Sequence, residues 1–130
     1  MVYFVSVTRF SVSCGQDLTP LVYCNFCQSE GKKYDYIFGD LTDTPVATTA
    51  RDNDIWEFLR SIISMGVDCL KPVTGRYLTH CNGKNVPEAH AAYETMISSL
   101  AGGKCKFTRS ECFVPSFMET WMYYQIWRTE

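Results

Sequence analysis

The chain has 130 residues, of which 46% are hydrophobic and 20% are charged, and its formal net charge is -2. This is the size of one domain, and these fractions exclude an intrinsically disordered chain and a fibrous chain. The small net charge gives no reason to expect a general polyanion binder. The chain has no apolar run of about 18 residues, so no membrane-spanning helix is predicted.

The first forty residues have the composition of β-strands. Residues 2–10 are rich in β-branched and aromatic side chains, which predicts the first strand. Residues 20–28 and 34–41 predict a second and a third strand. Because only a short glycine-containing turn at 29–33 separates these two, we expect them to form an antiparallel hairpin.

The first helix has the clearest local signal. Thr49 and Asp52 form a capping pattern, and apolar residues then recur on one helical face. This spacing predicts a helix at about 50–65. Gly66 is expected to end it, because glycine is the preferred residue just beyond a helix.

The second helix follows an ambiguous segment. A turn at 72–75 separates two short apolar runs, 67–70 and 76–81, and each could be a short strand. Pro87 suits the first position of a helix, and the glycine pair at 102–103 is expected to end it. The apolar stripe between them has helical spacing and consists of Ala89, Ala92, Tyr93, Met96, Ile97 and Leu100.

Two strands are predicted at the end of the chain. Residues 104–114 alternate between two faces, which is typical of a half-exposed strand. Residues 120–127 are rich in aromatic side chains, which favours a strand, although Ser116 and Glu119 also fit a helix capping box. Of the two structures, we expect the strand.

The order of the predicted elements is β-β-β-α-(β-β)-α-β-β. Strands and two helices joined by connections of hairpin length predict an α+β fold. We expect a mainly antiparallel sheet with both helices packed on one face. No repeat, low-complexity segment or linker interrupts the chain, so we expect one domain over residues 1–130.

Seven cysteines, an odd number, do not suit a disulfide framework. Because residues 1–13 also lack the pattern of a signal peptide, we expect a reducing, cytoplasmic compartment. Cys24 and Cys27 form a CxxC pair, and the adjacent His80 and Cys81 could complete four zinc ligands. Side chains three apart on a strand point to opposite faces, however, so we expect no metal and no cofactor.

An enzyme would need a thiol or a carboxylate site. Cys81 with His80 or His90 could supply a nucleophile and its base. Asp40 and Asp43 could supply paired carboxylates, although turn preference also explains both. Because no sequence pattern brings either histidine to a cysteine, enzymatic activity is the alternative and not the main prediction.

A second alternative is a protein that binds single-stranded nucleic acid. Such a protein would use the basic and aromatic residues of the strand at 104–114. These are Lys104, Lys106, Phe107 and Arg109. The chain as a whole is acidic and has no RNP-like signature, so nucleic acid is not the expected partner.

The aromatic C-terminal segment is the main functional signal. Its candidate binding residues are Phe117, Trp121, Tyr123, Tyr124 and Trp127. The segment is either a central strand covered on both faces or an interface, since Trp, Tyr and Met are enriched at protein interfaces. With no catalytic signature in the chain, this segment predicts a small intracellular protein-binding module, an accessory or inhibitor protein. Its expected ligand is a protein partner or a second copy of the chain.

Overall fold

The computed structural model describes residues 2–6, 31–40 and 53–130, with side chains from 31–40 and 56–130. The elements are β1 (Val2–Ser6), β2 (Tyr36–Asp40), α1 (Asn53–Asp68), β3 (Arg76–Gly83), α2 (Pro87–Ser99), a 3₁₀ turn (Leu100–Gly103), β4 (Cys105–Val114) and β5 (Glu119–Arg128). The predicted strand at 20–28 and the predicted helix cap at Thr49 and Asp52 lie outside the described residues. Neither described helix is long and apolar enough to cross a membrane.

The five described strands form one sheet in the order β1-β2-β3-β5-β4. β4 and β5 pair antiparallel over their whole ten-residue lengths, and β3 pairs antiparallel with the other edge of β5. β1, β2 and β3 pair in parallel over shorter ladders. The antiparallel ladders therefore carry more of the paired residues, and the predicted α+β fold with a mainly antiparallel sheet is confirmed.

β2 does not form the predicted hairpin. One of its edges pairs with β1 and the other with β3, both in parallel. No edge of β2 is therefore left for an antiparallel partner, and the prediction of a hairpin over 20–41 is wrong. The glycine turn at 29–33 was a weak signal, because a turn sequence does not decide which strand a β-rich segment joins.

α1 passes through Gly66, where the sequence predicted its end. Gly66 is buried against the ring of Tyr77, and a Cβ built on it would lie 2.8 Å from the ring's Cδ2. Glycine is therefore needed at this position for close packing of a helix on a strand, and not as a stop signal. The ambiguous run at 67–70 does not form a strand, because α1 continues to Asp68 and Leu70 makes only an isolated bridge with Tyr34.

α2 begins and ends where the sequence predicted. Pro87 is at the first helical position. After the helix, Ala101, Gly102 and Gly103 all have positive φ, a conformation that glycine adopts easily. The predicted apolar stripe is largely buried and includes Ala89, Tyr93, Met96 and Ile97.

The C-terminal segment is a strand, as expected. The capping-box residues Ser116 and Glu119 do not start a helix, because residues 115–118 form the turn between β4 and β5. Met118 has positive φ within this turn. β5 therefore lies inside the sheet between β3 and β4.

Both helices of the described residues pack on one face of the sheet. On this face Tyr77 contacts α1 at Gly66, and Tyr124 packs on Tyr93 of α2 with ring centroids 5.0 Å apart. The crossovers that carry α1 and α2 join parallel strands and advance in the same direction across the sheet. Crossovers between parallel strands are right-handed in nearly all proteins, and two of them that advance in the same direction place their helices on the same side.

No helix of the described residues packs on the opposite side of the sheet, and we call this side the helix-free face. Among the residues whose side chains are described, alternate residues of four strands form it. They are Tyr36, Phe38 and Asp40 of β2, Arg76, Leu78 and His80 of β3, Lys106, Thr108, Ser110 and Cys112 of β4, and Trp121, Tyr123, Gln125 and Trp127 of β5.

Candidate functional site

A groove of about 670 Å³ lies on the helix-free face. It crosses the centre of the sheet from β2 to β4. Its side-chain lining includes the apolar or aromatic Phe38, Leu78 and Tyr123 and the polar Asp40, His80, Thr108, Ser110 and Gln125. Apolar walls with a few polar groups are typical of ligand-binding grooves in proteins.

His80 lines one end of this groove. It follows the Gly39–Thr79 pair of the parallel ladder, which places it beside Asp40. Its Nε2 is 3.5 Å from Asp40 Oδ1, within ion-pair range but without hydrogen-bond geometry. Its ring packs edge-on against Trp121, with centroids 5.3 Å apart. The side chain is only 12% exposed, and neither ring nitrogen makes a hydrogen bond.

Trp121 adds a third nitrogen without a partner. Its Nε1 is buried and makes no hydrogen bond, while Phe117 stacks on its ring at 4.7 Å between centroids. A buried donor left without an acceptor costs about 1–3 kcal/mol. A bound molecule that supplied an acceptor beside His80 and Trp121 would recover this energy.

The helix-free face carries few ionised side chains. They are Asp40, Arg76 and Lys106 among the residues that define it. Arg76 stacks on Trp127, 5.0 Å from the ring centroid, and donates hydrogen bonds to backbone carbonyls of the 73–75 turn. The face is therefore nearly neutral and partly aromatic.

The five predicted aromatic binding residues divide between the two faces. Trp121, Tyr123 and Trp127 lie on the helix-free face, and Phe117, in the β4–β5 turn, is 49% exposed. Tyr124 is 2% exposed and lies under the helices. Because side chains alternate along a strand, Tyr124 belongs to the core and is not available to a partner.

The predicted thiol site is not assembled. Cys81 faces the helices and is 4% exposed, whereas His80, its neighbour in sequence, faces the other side of the sheet. Burial, with a smaller contribution from the charge of Glu94, raises the pKa of the Cys81 thiol to about 12. The thiol is therefore protonated at neutral pH, and a protonated thiol is a poor nucleophile.

His90 has a structural role in the core. It is 5% exposed, and its Nε2 lies 2.8 Å from the carbonyl oxygen of Gly83. Because a carbonyl can only accept, Nε2–H donates this bond. Nδ1 lies 3.4 Å from the hydroxyl of Tyr124, which itself donates to Glu94 at 3.1 Å. His90 therefore ties the start of α2 to the end of β3.

The predicted carboxylate pair is only partly described. Asp40 lies beside His80 on the helix-free face. Asp43 lies outside the described residues, as do Cys24 and Cys27 of the CxxC pair. Within the described part of the chain, no three His, Cys, Asp or Glu side chains cluster as metal ligands would.

The predicted nucleic-acid-binding residues do not share one surface. Phe107 packs toward Tyr124 on the helix side, at 5.8 Å between ring centroids, whereas Lys106 lies on the helix-free face. Lys104 pairs with Glu130 at 3.0 Å, and Arg109 pairs with Glu94 at 2.8 Å. Two of the three cations are thus already neutralised, and the aromatic ring is not available for stacking on bases.

Sequence reasoning missed part of the groove. It did not single out Phe38, Leu78, Ser110 and Gln125, which line the groove beside the predicted residues. Along each strand these residues alternate with the core residues, so they lie on the same face of the sheet as His80 and Tyr123. This alternation identifies the groove only once the order of the strands is known, because each strand contributes only a few side chains to it.

No known family model matches this chain. Its functional interpretation therefore depends on the geometry of the helix-free face.

Cysteine reactivity should follow burial. At neutral pH we expect iodoacetamide to alkylate Cys112, which is exposed, well before Cys69, Cys81 and Cys105, which are buried. Because the pKa of Cys81 is raised to about 12, its alkylation should increase only as the pH approaches that value. Peptide mapping by mass spectrometry would measure this order. Alkylation of native Cys81 as fast as Cys112 at pH 7 would contradict the prediction and revive a thiol enzyme.

Proposed function

We propose that this chain is a protein-binding module and that the helix-free face is its binding surface. One observation carries the proposal: the ring nitrogens of His80, which lines the groove, and of Trp121, which packs against His80, are buried without hydrogen bonds. Such groups gain free energy when a partner supplies an acceptor.

The chemistry of the groove favours a protein segment as its occupant. An apolar side chain of the partner would lie between Phe38, Leu78 and Tyr123. A backbone carbonyl or a carboxylate of the same partner would then accept from Trp121 Nε1–H and face His80. Trp and Tyr are among the residue types most enriched at the positions that contribute most binding energy in protein interfaces.

The low charge of the face disfavours nucleic acid as the occupant. Binding to a phosphate backbone draws on several Lys or Arg side chains along one groove. On the helix-free face Arg76 is engaged with Trp127 and with backbone carbonyls, and Asp40 lies beside His80 in the groove. A neutral or weakly acidic protein segment fits this distribution better.

Replacing Trp121 with phenylalanine should separate binding from folding. The variant keeps a ring for Phe117 and His80 to pack against but removes the donor that has no partner. We expect the free energy of unfolding to stay the same or to rise slightly, because an unsatisfied buried donor has been removed. We expect peptide binding to weaken about fivefold to tenfold.

The measurement uses a library of displayed random linear peptides, selected against the wild-type protein. Selected peptides should combine an apolar anchor with a nearby acceptor, and they should shift the Trp121 indole N–H resonance, with Trp56 as an internal reference. Tyr123→Ala should weaken their binding roughly tenfold or more.

Phe113→Ala is the matched control, because it removes an exposed ring from the opposite face of the sheet. Peptides that bind Trp121→Phe and Tyr123→Ala as tightly as wild type would disprove the proposal. So would a salt-sensitive preference of this face for a labelled single-stranded oligonucleotide over every selected peptide.

A further inference from the structure

β4 is a long, exposed edge strand. It lies last in the sheet, and within the described residues no further strand pairs with its outer edge. Its register with β5 runs unbroken over all ten residues, in contrast to the β3–β5 ladder, which has an irregularity between His80 and Gly83. Residues 108–113 are all exposed, and the strand contains no proline. Natural proteins usually interrupt such an edge, because its backbone groups can pair with another strand.

The sequence of β4 is complementary to itself about Ser110. Arg109 and Glu111 flank Ser110 with opposite charges. Phe107 and Phe113 lie three residues away on either side. Residues at equal distances on the two sides of Ser110 are therefore complementary: one pair has opposite charges and the other pair is aromatic.

We propose that β4 pairs antiparallel with β4 of a second copy of this chain, with the twofold axis at Ser110. In this register Arg109 of each copy lies opposite Glu111 of the other, on the helix side of the joined sheet. Phe107 lies opposite Phe113 on the same side. Directly opposed side chains of opposite charge, and opposed aromatic side chains, stabilise antiparallel strand pairs.

Neighbouring registers lack this match. A twofold axis at Arg109 would place two arginines opposite each other, and an axis at Glu111 would do the same with two glutamates. An axis between two residues would set the helix side of one copy against the helix-free side of the other. Because a slip of one residue exchanges the faces of a strand, Ser110 is the register that keeps faces and charges matched.

The ion pairs within each monomer do not block this arrangement. Arg109 pairs with Glu94, and Glu111 pairs with Lys84, at 2.8 and 2.6 Å. Lys84, Arg109 and Glu111 are exposed. Exposed ion pairs contribute little and can exchange partners at small cost.

The described strands of the two copies would form one continuous ten-stranded sheet. A twofold axis perpendicular to the sheet keeps the described helices of both copies on one side and joins the two helix-free faces on the other. This inference is independent of what the helix-free face binds, because it uses the backbone edge of β4 and side chains on the helix side.

A charge exchange tests the register. Arg109→Glu or Glu111→Arg alone should weaken dimerisation by roughly tenfold, since each creates two like-charge contacts per dimer. The double exchange Arg109→Glu/Glu111→Arg should restore it to within about threefold of wild type. Recovery could not come from the monomer's own pairs, because both substitutions disrupt the contacts with Glu94 and Lys84. Sedimentation equilibrium would measure the dissociation constants.

Disulfide trapping tests the position of the axis. In a Cys112→Ser background, Ser110→Cys should form a disulfide-linked dimer on mild oxidation, because opposed Cα atoms about 4.5–5.5 Å apart suit a disulfide. Thr108→Cys in the same background should not, but it should link to Cys112 of the second copy when that cysteine is kept. Peptide mapping would identify each link.

Several outcomes would overturn the proposal. They are a wild-type protein that stays monomeric at high micromolar concentration, a double exchange that dimerises no better than the single variants, or a Thr108→Cys/Cys112→Ser protein that cross-links as well as Ser110→Cys/Cys112→Ser. All of the substituted residues are exposed, and circular dichroism would confirm that each variant is folded.

Discussion

Replacing Gly66 with alanine is expected to lower the free energy of unfolding by about 2 kcal/mol. An ordinary exposed helix position would respond in the opposite way, because alanine is about 1 kcal/mol better than glycine in a helix. At Gly66 the new Cβ would overlap the ring of Tyr77, which is fully buried. The ring cannot move away, because its other side meets Gly39, where a built Cβ would lie 2.6 Å from Cζ. Overpacking therefore outweighs the gain in helix propensity.

Urea denaturation followed by circular dichroism would measure this effect. Ser61→Ala is the control, since Ser61 is exposed on α1 and its replacement should be neutral or slightly stabilising. A double-mutant cycle with Tyr77→Leu would test the cause: Gly66→Ala should cost clearly less when the ring is gone. If Gly66→Ala is as stable as wild type, or if its cost is the same in both backgrounds, the contact with Tyr77 is not what excludes a side chain.

Replacing His90 with alanine is expected to lower the free energy of unfolding by about 3 kcal/mol. The change leaves a cavity in the core and removes the donor to the buried carbonyl of Gly83. It also removes the ring that lies next to the hydroxyl of Tyr124. His90→Gln should lose less, because its amide can supply a donor to the same carbonyl.

His80→Ala is the matched control for His90. His90 belongs to α2, on the helix side of the sheet, whereas His80 lies on the helix-free face and its ring nitrogens make no hydrogen bond. We expect His80→Ala to cost about 1 kcal/mol in stability, while it weakens binding at the helix-free face. Equal losses of stability for the two variants, measured by denaturation, would contradict both the structural role of His90 and the binding role proposed for His80.

Local pattern was enough to predict several elements. The stripe of α2 and its flanking Pro87 and glycine pair act within one segment, so the sequence predicted the helix at 87–99 closely. The alternation over 104–114 and the aromatic composition of 120–127 likewise predicted β4 and β5. In these segments intrinsic preference and tertiary packing favour the same structure, and local consistency of this kind makes a fold predictable.

The candidate site was less predictable. Trp121, Tyr123 and Trp127 were selected for their residue type, but the same criterion selected Tyr124, which the structure buries under the helices. His80 was considered as a base for Cys81, yet the strand turns these neighbours to opposite faces. Side-chain alternation predicts that adjacent strand residues point to opposite faces of the sheet, but it does not predict which face the helices cover.

The sequence by itself determined the α+β class, the helix at 87–99, the two C-terminal strands and the aromatic character of the last one. Tertiary structure alone decided that β2 joins β1 and β3 in parallel, that α1 continues through Gly66 against Tyr77, and that the second face of the sheet is left without helices among the described residues. The physical reason is the sequence separation of the interacting residues. Propensity and periodicity act between residues a few positions apart. The partner of a strand and the covered face of a sheet depend instead on contacts between residues about forty positions apart, such as the hydrogen bond from Thr79 to Gly39.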